Sequence, residues 1–292
     1  DAGAQQLAEA GVSFGHGTNN AFDEAAWLVL WQLGLPLDTP LDGSGSVSNR
    51  PVTHSEQMQA ATLIRARIDT RKPAAYLTHE AWLQGVPFYV DDRAIVPRSL
   101  IAELLVQGDI DPWLGAHTHR VLDLCTGNGS LAVIAAQVFP DVEMTGSDLS
   151  SDALAVARIN VDRHGLQDRI TLLQSDGLAS PDLRARSPFD LILCNPPYVN
   201  TQSMAVLPLE YRTEPALALA GGTDGMDFIR QLLRDAPAQL TEQGVLVLEI
   251  GHERHHFEAA FPRLEVVWLE TSAGEDQVLL ITRESLGNHD YP

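Results

Sequence analysis

From residue 120 onward, short apolar runs alternate with longer stretches whose apolar positions recur at helical spacing. The runs at 121–124, 142–148, 170–176, 189–194, 245–250, 266–269 and 278–282 read as strands, and 131–139, 152–164 and 224–240 read as helices between them. Strands alternating with helices predict a doubly wound α/β sheet. The last two strands leave no room for a crossover helix, so the final strand is predicted to be antiparallel. Before residue 119 the pattern is helical. Asn20, with Asp23 three positions on, caps the apolar run 25–33, and Gly34 with Pro36 ends it. A second helix is predicted over 55–69, with Met58, Leu63 and Ile68 available for burial, and the Gly/Ser-rich stretch 41–48 reads as a surface loop. Residues 88–96 alternate around Asp91-Asp92 as a hairpin would, 99–106 turn helical, and 108–118 read as a hinge. The resulting division is a helical domain over 1–84, a hairpin and linker helix over 85–118, and a sheet domain over 119–292.

Chemistry enters at the strand ends. The strand 189–194 runs straight into Asn195-Pro196-Pro197-Tyr198. Two prolines have no N–H to donate and fixed φ angles, so the corner is rigid and its carbonyls only accept. The Asn195 side-chain oxygen and the Pro196 carbonyl are placed to take both hydrogens of a planar NH2 group, with Tyr198 stacked on it. By itself the run is also an ordinary way to stop a strand. Upstream, the strand at 121–124 ends in Cys125-Thr126-Gly127-Asn128-Gly129-Ser130, where Gly127 and Gly129 permit a tight turn into a helix whose N-terminus offers N–H groups to an anion. Asp123, Asp148 and Asp176 then fall at the carboxyl ends of three successive strands, where a doubly wound sheet gathers its ligands. Asp148 is the expected partner of ribose hydroxyls, and Asp176 the expected acceptor from an adenine amino group.

These residues resemble the Asn-Pro-Pro-Tyr methyltransferases that use S-adenosylmethionine, within them the protein-glutamine branch, and the resemblance spans nearly the whole chain. Gly15-His16-Gly17-Thr18-Asn19-Asn20, Phe88-Tyr89-Val90-Asp91-Asp92-Arg93, Val96-Pro97-Arg98-Ser99 and Glu210-Tyr211-Arg212-Thr213-Glu214-Pro215 are similar to the bacterial group that methylates a glutamine of the third large-subunit (50S) ribosomal protein. The resemblance implies a Rossmann-like, seven-stranded methyltransferase domain over 119–292 and a substrate-recognition role for 1–84. It implies a donor site formed by Asp123, Cys125, Thr126, Gly127, Gly129, Asp148, Asp176 and Asn195, with Asn195, Pro196, Pro197 and Tyr198 as the acceptor corner. Many methyltransferases carry glycine where this chain has Cys125, which makes the first turn less permissive. Glu103 lies one position later than the acid of the Pro-Arg motif in release-factor glutamine methyltransferases and is given no role. Release-factor enzymes share the core chemistry, but neither the Gly-His-Gly-Thr nor the Glu-Tyr-Arg run. A second alternative is a noncatalytic assembly factor that retains the cofactor pocket, against which the intact Asn195 corner argues.

Charge narrows the partner. The chain carries a formal charge of −20, with 7 basic against 14 acidic residues up to Thr118 and 12 against 25 from His119 on. Such a surface is repelled by phosphate backbones, which weighs against direct nucleic-acid binding. It suits a basic protein such as a ribosomal one, although acidity also serves solubility alone. No apolar run approaches the ~20 residues of a membrane helix, so a soluble chain is expected, and cysteines kept reduced suit a cytoplasmic location. The chain begins at Asp1 and not at a methionine, so further N-terminal sequence is expected, and nothing present reads as a signal peptide. Two cysteines suggest no disulfide framework. Cys125 and Cys194 end strands that should be neighbours, and reduced, buried thiols are expected. His16 between two glycines reads more simply as a loop histidine than as a substrate contact. His252-Glu253-Arg254-His255-His256 fits the zinc-protease spacing but opens off a strand of the methyltransferase frame with no third ligand, so no metal is expected.

Overall fold

The computed structural model describes residues 1–43, 46–47 and 50–289. The N-terminal part packs α1 (Ala2–Glu9), α2 (Ala21–Gln32), α3 (His54–Thr70) and α4 (Ala74–Thr78) around Leu7, Trp27, Leu28, Ile64 and Tyr76. Asn20 caps α2 as expected, its side chain accepting from the Asp23 N–H, and Gly34 follows the helix with φ +65°. In α3 the buried positions are Ile64 and Arg67, with Leu63 and Ile68 half-buried. Met58 is instead 54% exposed, because it lies on the far side of the helix from the core. Of the predicted surface loop 41–48, residues 44, 45 and 48 lie outside the described residues.

The hairpin forms earlier than its expected place at 88–96. It pairs β1 (Ala81–Leu83) with β2 (Val86–Phe88) across Gln84-Gly85, both with positive φ, as a two-residue turn requires. Asp91 is drawn away from pairing by its side chain, which takes both Nε and Nη2 of Arg93 and the Tyr89 hydroxyl. The linker helix α5 (Ile101–Gln107) follows.

The second part is a seven-stranded sheet. Its strands are β3 (Arg120–Leu124), β4 (Glu143–Asp148), β5 (Ile170–Gln174), β6 (Phe189–Cys194), β7 (Leu240–Glu249), β8 (Val267–Thr271) and β9 (Gly274–Thr282), in the order β5-β4-β3-β6-β7-β9-β8. The first five are parallel, and β9 inserts antiparallel between β7 and β8. Helices α6 (Ser130–Val138), α7 (Ser151–Arg163), α8 (Pro181–Arg184), α9 (Thr201–Val206), α10 (Asp227–Asp235), α11 (Arg254–Ala260) and α12 (Arg283–Gly287) make the connections and the C-terminal end. Both faces are covered, so β6 reads as an unbroken apolar run. Leu191 and Leu193 enter one core, and Ile192 and Cys194 the other. The helix expected over 224–240 stops at Asp235, where Pro237 blocks continuation, and β7 begins at Leu240 through the polar Thr241-Glu242-Gln243 with a register shift opposite Phe189–Leu191.

The linker helix belongs to this second core. Phe88, Ile101, Leu104, Leu105 and Ile110 pack in one cluster with Ile134, Leu191 and Val247. Glu103 accepts from the N–H and hydroxyl of Ser272 at 2.6 and 2.7 Å, tying α5 to the β8–β9 turn. No helix among the described residues is long and apolar enough to cross a membrane.

Candidate active site

The chain runs β3, β4, β5 outward in one direction and then returns to place β6 on the other side of β3. A crevice opens outside the carboxyl ends of strands at such a reversal. Here it is a cleft walled by Leu124, Cys125 and Gly127 at the end of β3, by Asp148, Leu149 and Ser150 at the end of β4, by Ser175, Asp176 and Gly177 after β5, and by Asn195 and Pro197 after β6. Cys125, Gly127, Asp148, Asp176, Asn195 and Pro197 of the expected set therefore share one cavity.

The others are not among the residues that wall it. Asp123 is 1% exposed and accepts from the Thr126 hydroxyl at 2.5 Å and the Ala132 N–H at 3.0 Å, so Asp123 and Thr126 brace the turn from beneath. Burial pushes the Asp123 carboxyl up to about 7. Gly129 has φ +80°, and a Cβ there would meet Ala157 at 3.1 Å, so its place is the contact between α6 and α7. Pro196 is buried. Tyr198 is half-buried against the cluster containing Ile250 and Phe257, and that burial raises its phenol pKa.

The turn is held largely by itself. Asp148 accepts from the Gly127 N–H and the Ser150 N–H, each at 2.9 Å, and the Asn128 side chain accepts from the Ser130 N–H at 3.2 Å. Of the donors expected at the α6 N-terminus, the Ala132 and Ser130 N–H groups are already taken by Asp123 and Asn128. Cys125 adopts φ +61°, the left-handed region that favours glycine, so a residue with a Cβ stands here in a conformation glycine would take more easily. Asn195 differs from its neighbours, since its side-chain amide makes no hydrogen bond within the described residues while it lines the cleft.

Sequence reasoning missed the opposite wall, formed by Arg93, Ala94 and Ile95 and by Pro215, Leu217 and Ala218, with Phe228 at one side. It also missed Asn160, fully buried on α7. Its amide receives the Tyr89 N–H at 2.7 Å and donates to the Tyr89 and Asn128 carbonyls at 2.9 and 2.8 Å, fastening the 89–95 segment to the turn. Leu149 did leave a signal, as an apolar residue directly after a strand-end acid, and it is 45% exposed in the cleft wall.

The cysteines do neighbour one another, Leu124 pairing with Cys194 across β3 and β6, but only Cys194 is buried. Burial, with Cys125 alongside, pushes the Cys194 thiol well above its ordinary range. Cofactor is expected to slow alkylation of Cys125, measured by mass spectrometry, whereas Cys194 should react only on opening of the fold. Equal Cys125 rates with and without cofactor would remove it from the site.

Glu249, at the end of β7, accepts from the Ser99 hydroxyl at 2.5 Å and the Leu100 N–H at 2.9 Å. Burial moves its carboxyl from 4.5 to about 7. The folded chain thus keeps a proton that the unfolded chain releases across this window, so the group's contribution to stability falls as pH rises from about 4.5 to about 7. Glu249→Gln should reduce that slope in urea titrations between about pH 5 and pH 8, leaving the part due to Asp123. An unchanged slope would mean that Glu249 is ionised throughout.

In the motif His252 to His256, Glu253 accepts from the Asn200 amide at 2.7 Å and lies 2.5 Å from His256 Nδ1. Among the described residues no group of three or more His, Cys, Asp or Glu side chains could hold a metal ion.

Comparison with known proteins agrees with this architecture. Residues 102–209 match the methyltransferase small domain family. The chain is 54% identical over 283 residues to the ribosomal protein uL3 glutamine methyltransferase of Bordetella pertussis, covering 96% of this chain and 92% of that one. It is 50% identical to the protein of the same name from Burkholderia pseudomallei, over 96% of this chain and 92% of that one. Among solved structures, the hMettl16 catalytic domain in complex with MAT2A 3'UTR hairpin 1 superposes with a TM-score of 0.56 at 15% identity, over 92% of this chain and 93% of that one, which is a likeness of fold. With half or more of its residues shared over nearly its full length, the chain belongs to the ribosomal protein uL3 glutamine methyltransferase family.

Proposed function

We infer that this protein methylates the side-chain amide nitrogen of a glutamine in ribosomal protein uL3, with S-adenosylmethionine as donor. The observation that carries the reading is the unspent amide of Asn195 in the same cleft as Asp148, in a chain about half identical to relatives named for that reaction. The cleft fits the donor. Leu149, Ala153 and Phe228 offer apolar surface to a flat base, while Asp148 retains lone pairs for ribose hydroxyls beyond the two that hold N–H groups.

When bound, S-adenosylmethionine supplies a sulfonium-activated methyl, whose bond to sulfur breaks as the amide nitrogen's lone pair takes the carbon. The residues of the chain do the rest by orientation. A glutamine amide nitrogen is a poor nucleophile because its lone pair is delocalised into the carbonyl. The Asn195 side-chain oxygen and the Pro196 carbonyl accept its two hydrogens, which favours the pyramidal transition state over the planar ground state. Tyr198 closes the corner against water. No strong base is needed, since the nitrogen becomes acidic once alkylated and releases its proton to solvent.

The test is a rate comparison with labelled S-adenosylmethionine on unmodified uL3 and on an unmodified release factor. Turnover on uL3 well above that on the release factor is expected. The reverse preference would reassign the substrate, and no turnover on either would favour a binding factor.

A further inference from the structure

Two motifs that methyl transfer leaves unused meet in the fold. The His16 ring lies 4.2 Å from the Tyr211 ring, and a Cβ on Gly15, at φ +126°, would come within 2.6 Å of the Tyr211 hydroxyl oxygen. The segment 210–215 is thereby laid against the N-terminal domain, whose Arg67 and Arg71 hold Glu210, while Arg98 of the linker holds Glu214. Glu210 lies 3.4 Å from Arg67 Nη1 and 3.3 Å from Arg71 Nη1. Arg67 has no exposed surface and also donates to Glu24 at 2.7 Å and to the Ser13 carbonyl at 2.9 Å. Glu214 receives both Nη groups of Arg98, at 2.7 and 2.8 Å, and the Val96 N–H at 2.9 Å, with His16 Nε2 at 3.4 Å. Burial works to raise the Glu214 carboxyl, but Arg98 and His16 outweigh it and hold it down at about 2.

Buried ion pairs are a weak source of stability, because the cost of removing water from both charges offsets much of their attraction. They do fix geometry. The residues held here lead directly into the cleft, where Pro215, Leu217 and Ala218 form its wall. The segment then closes on the catalytic corner, as Val199 N–H donates to the Leu219 carbonyl at 2.8 Å and Gly221 N–H to the Val199 carbonyl at 2.9 Å.

We propose that Glu210 and Glu214 are positioning residues: gripped by Arg67, Arg71 and Arg98, they set the 215–218 wall and, through Val199, the corner that follows Asn195. The N-terminal domain is then part of what shapes the cleft, in addition to any contact it makes with substrate. The proposal rests on the methyl-transfer reading only for its choice of probe.

The test titrates S-adenosylhomocysteine into the full chain as wild type, Glu210→Gln, Glu214→Gln and Leu7→Ala. The last removes a fully buried side chain from the N-terminal core and serves as the stability control. The two glutamine variants should bind at least about tenfold more weakly and lose kcat/KM, since small displacements of a site wall are costly. Leu7→Ala should bind as wild type does, even with a melting temperature lowered as far. Glutamine variants that bind like wild type at stabilities no lower than Leu7→Ala would overturn the proposal and leave the pairs as interface packing. Should Glu214→Gln not fold, Arg98→Lys, which keeps the charge without the two-pronged contact, carries the same expectation. Absence of binding by the wild type would instead overturn the methyl-transfer reading.

Discussion

Replacing Asn195 with alanine is expected to lower turnover by about 10²- to 10³-fold, the usual cost of one preorganised contact made at the transition state. Cofactor affinity should stay within a few-fold. The split follows from the amide's surroundings: it lines the cleft and is committed to no other hydrogen bond in the described chain, so removing it leaves the cofactor turn intact. Binding calorimetry beside a single-turnover assay separates the two quantities. Near-normal turnover would remove the corner from the chemistry, and a loss confined to cofactor affinity would move Asn195 to the donor side.

Asp148→Ala should show the opposite balance. Its carboxylate holds the Gly127 and Ser150 N–H groups, so its loss frees both loops along with the proposed ribose acceptor. Cofactor Kd is expected to rise about 10- to 100-fold, the range for one hydrogen bond to a charged group, with turnover at saturating cofactor little changed. An unaltered Kd would show that Asp148 is a loop brace only. Burial raises this carboxyl while the backbone N–H groups lower it, so the affinity measurement belongs well above the carboxylate range.

Much of this was legible because parallel strands covered on both faces appear in sequence as unbroken apolar runs. β6 coincides with its predicted span, and β3, β4 and β5 begin and end within a residue or two of theirs. The cleft could be read from the residues immediately after those runs, since a doubly wound sheet gives strand ends a fixed place. What escaped was whatever depended on contacts distant in sequence. Arg67 lies on the helix predicted over 55–69, where the pattern offers Met58, Leu63 and Ile68 for burial, and only the approach of Glu24 and Glu210 makes its burial possible. Asn160 reads as one more polar helix position until Tyr89 and Asn128 come within reach. The hairpin was misplaced for a local reason. Gln84-Gly85 was the better turn signal, and Asp91-Asp92 competed with it only because the demand of Arg93 for a carboxylate is invisible in a hydropathy pattern. The wall at 215–218 follows irregular chain with no periodicity to mark it, and it is held by carboxylates whose partners lie more than a hundred residues away.

The claim on which the rest depends is that the acceptor is an amide nitrogen, since the Asn195 corner is interpreted as a grip on an NH2 group. The direct measurement labels uL3 with the enzyme and isotopic S-adenosylmethionine, hydrolyses the product completely in acid, and follows the label. An N-methylated glutamine splits under these conditions to glutamate and methylamine, so the label should leave the amino-acid fraction as volatile methylamine. Label retained on a methylated lysine, arginine or backbone amine would contradict the account.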